Sequence, residues 1–183
     1  MTTLPYEDLP DVEPERDPEP RKWTEADVLA ALRRRYSESH GNGDRWAFAT
    51  HVRCGAGFGP QWGAGQLRTA DAVAMDLWPS KGLEIHGHEV KVSRSDWLAE
   101  LKQPDKCEPV KRYCDRWWLV VSDRAIVKGG ELPEGWGLMV VSGDSTRVVV
   151  KAPKLSPDSV TKDFMAPFLR AAVKTATRFG GAA

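Results

Sequence analysis

Residues 71–97, DAVAMDLWPSKGLEIHGHEVKVSRSDW, decide how this chain is read. Asp71 to Trp78 alternates Val73, Met75 and Leu77 with Ala72, Ala74 and Asp76, and Leu83 to Ser93 is rich in β-branched residues, so both segments predict strands. Pro79-Ser80-Lys81-Gly82 between them supplies the proline and glycine of a reversal. Centring that reversal on Ser80 sets Leu77 opposite Leu83, Met75 opposite Ile85 and Asp71 opposite Glu89. Side chains alternate along a strand, so Lys91 projects from the same face as Glu89, beside the acid pair. Two carboxylates and an ammonium on one patch are the parts of a divalent-metal phosphodiesterase: Asp71 and Glu89 offer hard oxygens, the Val90 carbonyl offers another, and Lys91 offers a compact positive charge near the phosphate. The competing structural reading is an exposed Glu–Lys pair on a strand edge. Asp76 is the rival second acid, but it sits on the opposite face and would pair with Glu84. His86 and His88 form a His-x-His pair with no third ligand nearby in sequence, also on the opposite face.

Upstream, residues 1–22 hold five prolines and little that could pack, and predict a disordered acidic tail; residues 23–183 predict one domain. Thr24 is a candidate N-cap, and Glu25, Val28, Leu29, Leu32 and Tyr36 recur at helical spacing. Glu25 is either a charge at the solvated start of that helix or a third metal-facing acid. Trp46 to Val52 predicts the first strand, with His51 following the alternation of Ala47 and Ala49. Cys54 to Gly65, CGAGFGPQWGAG, is glycine-rich and carries Phe58 and Trp62. It lacks the Gly-Lys-Ser/Thr of a phosphate loop, and Pro60 stands where a dinucleotide fingerprint would open its helix. It is either a loop whose aromatics stack on bases or one whose aromatics pack on the core.

Downstream, Ser95 is expected to cap a helix through Lys102 with Trp97 and Leu98 inward, and a second helix over Cys107 to Asp115 to gather Lys106, Lys111, Arg112 and Arg116 beside the open face. Trp117 to Ser122 predicts a buried central strand. Gly135 to Ser142 and Thr146 to Lys151 predict a hairpin, and Ser159 to Arg178 a closing helix that buries Val160, Phe164, Phe168, Leu169, Ala172 and Val173. The fold class is α/β, a mixed sheet flanked by helices with an added C-terminal hairpin and helix.

Net charge is zero, with 26 basic and 26 acidic residues. Its distribution is uneven: residues 1–21 hold seven acids against Arg16 and Arg21, leaving 24 basic and 19 acidic residues in the rest, a net +5. That basic remainder suits a nucleic-acid partner. No apolar run reaches membrane-spanning length, and the acidic start is unlike a signal peptide, so a cytoplasmic location is expected. Cys54, Cys107 and Cys114, without CxxC spacing, predict reduced structural thiols.

The order helix, strand, Asp71 strand, Glu89-Val90-Lys91 strand, helix, strand resembles the core of the PD-(D/E)XK nuclease superfamily. RTADAVAMDLWPSKGLEIHGHEVKVSRSDW with YCDRWWLVV and LPEGWGLMVV is similar, more narrowly, to the MmcB-like DNA repair family of bacterial and phage proteins. The resemblance covers about residues 24 to 155. It implies a restriction-endonuclease-like fold and DNA cleavage with Mg2+ (or Mn2+) in repair or phage DNA metabolism. In that family Asp71 would be the metal-binding acid, Glu89 the second acid and Lys91 the catalytic lysine. Many members use a further acid from the first helix or first strand; Glu25 is the helix candidate, and the strand position near His51 holds histidine. DNA contacts are expected from Ser93, Arg94, Lys111, Arg112 and Arg116, and superfamily habit adds a homodimer as a candidate assembly. A DNA-binding or interaction module on the same fold, its catalysis lapsed, is the alternative.

Overall fold

The computed structural model describes residues 22–37, 39–40, 43–56 and 68–180. The expected acidic tail and most of the glycine-rich loop, with Phe58 and Trp62, lie outside the described residues.

The chain forms α1 (Glu25–Arg35), then strands β1 (Trp46–Arg53), β2 (Thr69–Asp76) and β3 (Ile85–Lys91). Helices α2 (Arg94–Leu101) and α3 (Glu108–Lys111) follow, then β4 (Arg116–Val121), β5 (Trp136–Ser142), β6 (Ser145–Val150) and α4 (Lys162–Gly180). All six strands join one mixed sheet in chain order: β1, β2 and β3 are antiparallel neighbours, β3, β4 and β5 are parallel, and β6 returns antiparallel to β5. A two-residue ladder, Ser39–His40 with Gly43–Asp44, lies between α1 and β1. The fold is therefore mixed α/β, a six-stranded sheet flanked by helices, with the C-terminal hairpin and helix in place. Among the described residues, no helix is long and apolar enough to cross a membrane.

Thr24 starts α1 as expected: its hydroxyl accepts from the Asp27 amide while the Asp27 carboxylate accepts from the Thr24 amide, a capping box. Val28, Leu29, Leu32 and Tyr36 then pack on Ala72, Ala74, Val90, Trp118, Val120 and Met139, covering one face of the sheet. The other face carries Ala49, Val73, Trp117, Leu119 and Leu138 against Trp97 of α2, Val110 of α3 and Phe164 and Phe168 of α4. Burying each such aliphatic or aromatic side chain contributes roughly 1.5–3 kcal/mol before entropy is charged.

The central hairpin has the expected register: Ala72 pairs with His88, Val73 with Gly87, Ala74 with His86 and Met75 with Ile85. Gly82, at φ 87°, closes the reversal in the left-handed region. The Leu77–Leu83 pair does not form. The Leu77 amide bonds the Arg45 carbonyl instead, and both leucines are exposed. On the central strand, two consecutive indoles point to opposite faces, and each meets a glycine on a neighbour: Gly87 of β3 lies opposite Trp117 and Gly137 of β5 opposite Trp118. A Cβ at Gly87 would stand 2.2 Å from Trp117, and one at Gly137 would stand 2.4 Å from Trp118.

Several expectations shift. Ser93, not Ser95, caps α2, because its hydroxyl reaches the Asp96 amide at 3.2 Å three residues on. The inward stripe of α2 is then Trp97 and Glu100, and Leu98 is exposed. The expected helix over residues 107–115 is only Glu108–Lys111 after a 3-10 turn at Pro104–Cys107, since Pro104 and Pro109 each start a short piece. α4 starts at Lys162 and buries Phe164, Phe168 and Thr175; Val160 precedes it, and Leu169 and Val173 lie round the helix from that face, exposed. The cysteines Cys54, Cys107 and Cys114 are free thiols. Burial pushes Cys107 up to about 12 and Cys114 higher still.

Candidate functional site

β2 ends its ladder with β3 at Ala72–His88, and just beyond it the Asp71 carboxylate replaces the next backbone bond. Its Oδ2 accepts the Val90 amide at 2.7 Å. That bond ties the acid of one strand to the Glu-Val-Lys of the next. Glu89 and Lys91 point from β3 to the face shared with Trp117 and Leu119, and both side chains are nearly buried, 8% and 12% exposed. Val90 turns to the α1 face, among Ala72 and Val120.

Lys91 Nζ donates to Glu89 Oε1 at 2.5 Å and to Glu100 Oε2 at 3.0 Å. Glu100, on the inward stripe of α2, also accepts from Lys106 at 3.2 Å. Reading the sequence missed Glu100. The signal was its place three residues after the inward Trp97, which puts it on the same helix face.

Burial is the main influence on these groups. It raises Asp71 above the usual carboxylate range, although the Val90 amide and the Lys91 charge pull it back. Burial first and the Asp71 charge second raise Glu89 to about 8, outweighing the ammonium of Lys91. Burial alone would lower Lys91, but Glu89, Glu100 and Asp71 together hold it above the usual lysine range. Glu100 is lowered, its burial overcome by Lys91 and Lys106. The patch thus holds three carboxyl groups, Asp71, Glu89 and Glu100, against the two ammoniums of Lys91 and Lys106. Hard oxygens with unmet charge suit a divalent cation.

Glu25 stands beside the patch. One ligand atom each from Glu25, His51 and Asp71 lie within 4.8 Å of one another, and the Glu25 and His51 side chains are about half exposed. Glu25 is also the first residue of α1, half exposed at its solvated start, so its place fits both readings of this acid. His51 leaves the strand alternation, with φ 54°.

Asp76, the rival acid, is buried and committed to structure: Arg45 Nη2 donates to it at 2.6 Å and the Trp78 amide at 3.0 Å. His86 and His88 also face away from Glu89. The Tyr36 hydroxyl lies 3.1 Å from His86 Nδ1 and 2.8 Å from His88 Nε2, and His88 Nδ1 lies 3.3 Å from the Ala72 carbonyl oxygen. Burial holds both imidazoles below the usual histidine range.

The expected DNA contacts have partners within the chain. Ser93 caps α2, Arg94 forks onto Glu131, Lys111 donates to Glu108 at 2.6 Å, and Arg112 pairs with Asp158 at 2.5 Å. Arg116 corrects the expectation that these cations line one border. It opens β4 beside His86, on the α1 side, and donates to Glu84 at 2.9 Å and to the Ala152 carbonyl at 2.8 Å.

No protein-family model matches the chain, and no curated protein matches its sequence. Its structure is similar to that of the SPO1766 protein of unknown function from Silicibacter pomeroyi, with a TM-score of 0.55 and 20% identity, covering 86% of this chain and 91% of that one. At that identity the likeness is one of fold.

Proposed function

We propose that the chain is a metal-dependent deoxyribonuclease with a PD-(D/E)XK-type, restriction-endonuclease-like core, hydrolysing DNA phosphodiesters in repair or phage DNA metabolism. The observation that carries this reading is the Asp71–Val90 bond, which holds an acid against a Glu-x-Lys whose glutamate and lysine share one nearly buried face. Asp71 and Glu89, with the Val90 carbonyl and Glu25, are the oxygens that would hold Mg2+ or Mn2+. The ion would supply a bound water as nucleophile and polarise the phosphate. Lys91, anchored by Glu100, presents its charge to the scissile phosphate. Arg112 and Asp158 are both more than half exposed. An exposed pair of this kind contributes only about 0–1 kcal/mol, so exchanging Asp158 for a DNA phosphate costs little.

The test is nicking of supercoiled plasmid and of branched DNA with Mg2+ or Mn2+. Asp71→Asn and Lys91→Ala are each expected to lower the rate by about 100-fold or more, in the range of losing one electrostatic or metal-binding element. Undiminished nicking in both variants overturns the site. The clasp of Lys91 between two carboxylates favours a second reading, a DNA-binding or interaction module whose catalysis has lapsed. DNA binding without nicking under either metal would select it.

A further inference from the structure

His51 breaks the strand that carries it. The β1–β2 ladder pairs Thr50 with Ala72 and Val52 with Ala70 but skips His51 and Asp71, and His51 has a left-handed φ of 54°. Such a conformation costs a non-glycine residue about 1–3 kcal/mol. The imidazole Nδ1 ends 3.8 Å from Glu25 Oε1, too far for a hydrogen bond. His51, Glu25 and Asp71 come from β1, α1 and β2 and converge to within 4.8 Å. Ligand atoms on one ion at about 2.0–2.3 Å stand roughly 3–4 Å apart, so small rotations of two half-exposed side chains would bring all three onto a common centre. Asp71 spends Oδ2 on the Val90 amide, which leaves Oδ1 for that centre.

We propose that His51 is a metal ligand, its imidazole joining the Glu25 and Asp71 carboxylates on one divalent cation, and that this mixed nitrogen–oxygen set takes a first-row transition ion of the Mn2+ kind in preference to Mg2+. The inference rests on the metal-site reading above and adds a nitrogen ligand and an ion preference to it. Mg2+ asks for oxygen ligands in near-ideal octahedral geometry and gives up water reluctantly, whereas imidazole suits transition ions. Glu25 and His51 face solvent, so an ion can enter and waters can complete its coordination.

The experiment uses the full chain with Mn2+ alone. Electron spin-echo envelope modulation should show 14N coupling to bound Mn2+ in the wild type. In His51→Gln the coupling should vanish while weaker Mn2+ binding persists, with affinity down about tenfold or more by calorimetry and Mg2+ affinity changed much less. Glu25→Gln should weaken Mn2+ binding and keep the nitrogen signal. Failure of the wild type to bind Mn2+, bound Mn2+ without 14N coupling, or coupling that survives in His51→Gln each overturns the proposal. No step requires DNA. His51-dependent coupling in a protein that never nicks DNA would retain this inference and sink the nuclease reading; nicking without such coupling would do the reverse.

Discussion

Replacing Glu89 by glutamine is expected to stabilise the metal-free protein at alkaline pH while weakening its metal response. Glu89 is raised from the ordinary 4.5 to about 8, first by burial and then by the charge of Asp71. A carboxyl that binds its proton more tightly when folded stabilises the fold while protonated. That contribution is complete below about pH 4.5 and is lost as pH rises through about 8. Linkage sets an upper bound of about 5 kcal/mol on the loss, and sharing of charge with Lys91 brings the expected figure to roughly 1–3 kcal/mol. Glutamine is neutral throughout and escapes the loss. Lys91 is not stranded by the change, because Glu100 still holds it at 3.0 Å. For a chain of this size each kcal/mol moves Tm by about 2–4 °C. Thermal melts should therefore nearly coincide at pH 5 and separate by about 3–10 °C in favour of Glu89→Gln at pH 8.5. Mn2+ at pH 8.5 should raise the wild-type Tm and close the gap. A difference that stays constant from pH 5 to 8.5, or a variant less stable at the upper end, would mean that Glu89 ionises normally and that the patch has no excess charge for a cation to neutralise.

Tyr36→Phe removes the hydroxyl between the buried His88 and the partly buried His86 and should cost about 1–3 kcal/mol in urea unfolding; an unchanged midpoint would show that the histidines find other partners. Arg45→Ala leaves the Asp76 carboxylate buried without its guanidinium, and a loss of roughly 3–5 kcal/mol is expected. A loss below 1 kcal/mol would contradict it. Glu84 is held at about 2, its burial outweighed by Arg116, Lys154 and His86. Its contribution is present above the ordinary 4.5 and is lost as pH falls through about 2, so Glu84→Gln should flatten the acid limb of a pH–Tm curve. An equally steep limb would refute the assignment.

The hairpin register was legible because alternation and turn chemistry agree: Val73 and Met75 fix the buried face, Pro79 and Gly82 fix the reversal, and together they leave one alignment of Asp71 with Glu89. What the register could not reveal is that Asp71 would bond the Val90 backbone, an interaction made where a ladder ends. Ser95 is expected as the cap of α2, but the inward fit of Trp97 and Glu100 puts the cap at Ser93, two residues earlier. In α4 the buried face runs through Phe164, Phe168 and partly Ala172 as expected, but Leu169 and Val173, as apolar as Phe168, lie outside it, because the face that packs is set by the strand it meets. Glu100 escaped because it joins an apolar stripe as a charge and meets Lys91 only in the folded chain. The break of β1 at His51 escaped because alternation places that residue in a regular strand.

The glycines that receive Trp117 and Trp118 bear on how firmly the acids are placed. A strand can slide past its neighbour by two residues and keep every side chain on its proper face, so apolar patterning alone leaves that error open. Here such a slip would drive Ile85 or Glu89 of β3 onto the Trp117 ring, and a slip of β5 in one direction would drive Met139 onto Trp118, where even a methyl group has no room. The paired notches act as a vernier on the parallel strands, one on each side of the sheet. The spacing between Glu89 and the rest of the fold is thereby indexed by two residues with no side chain at all.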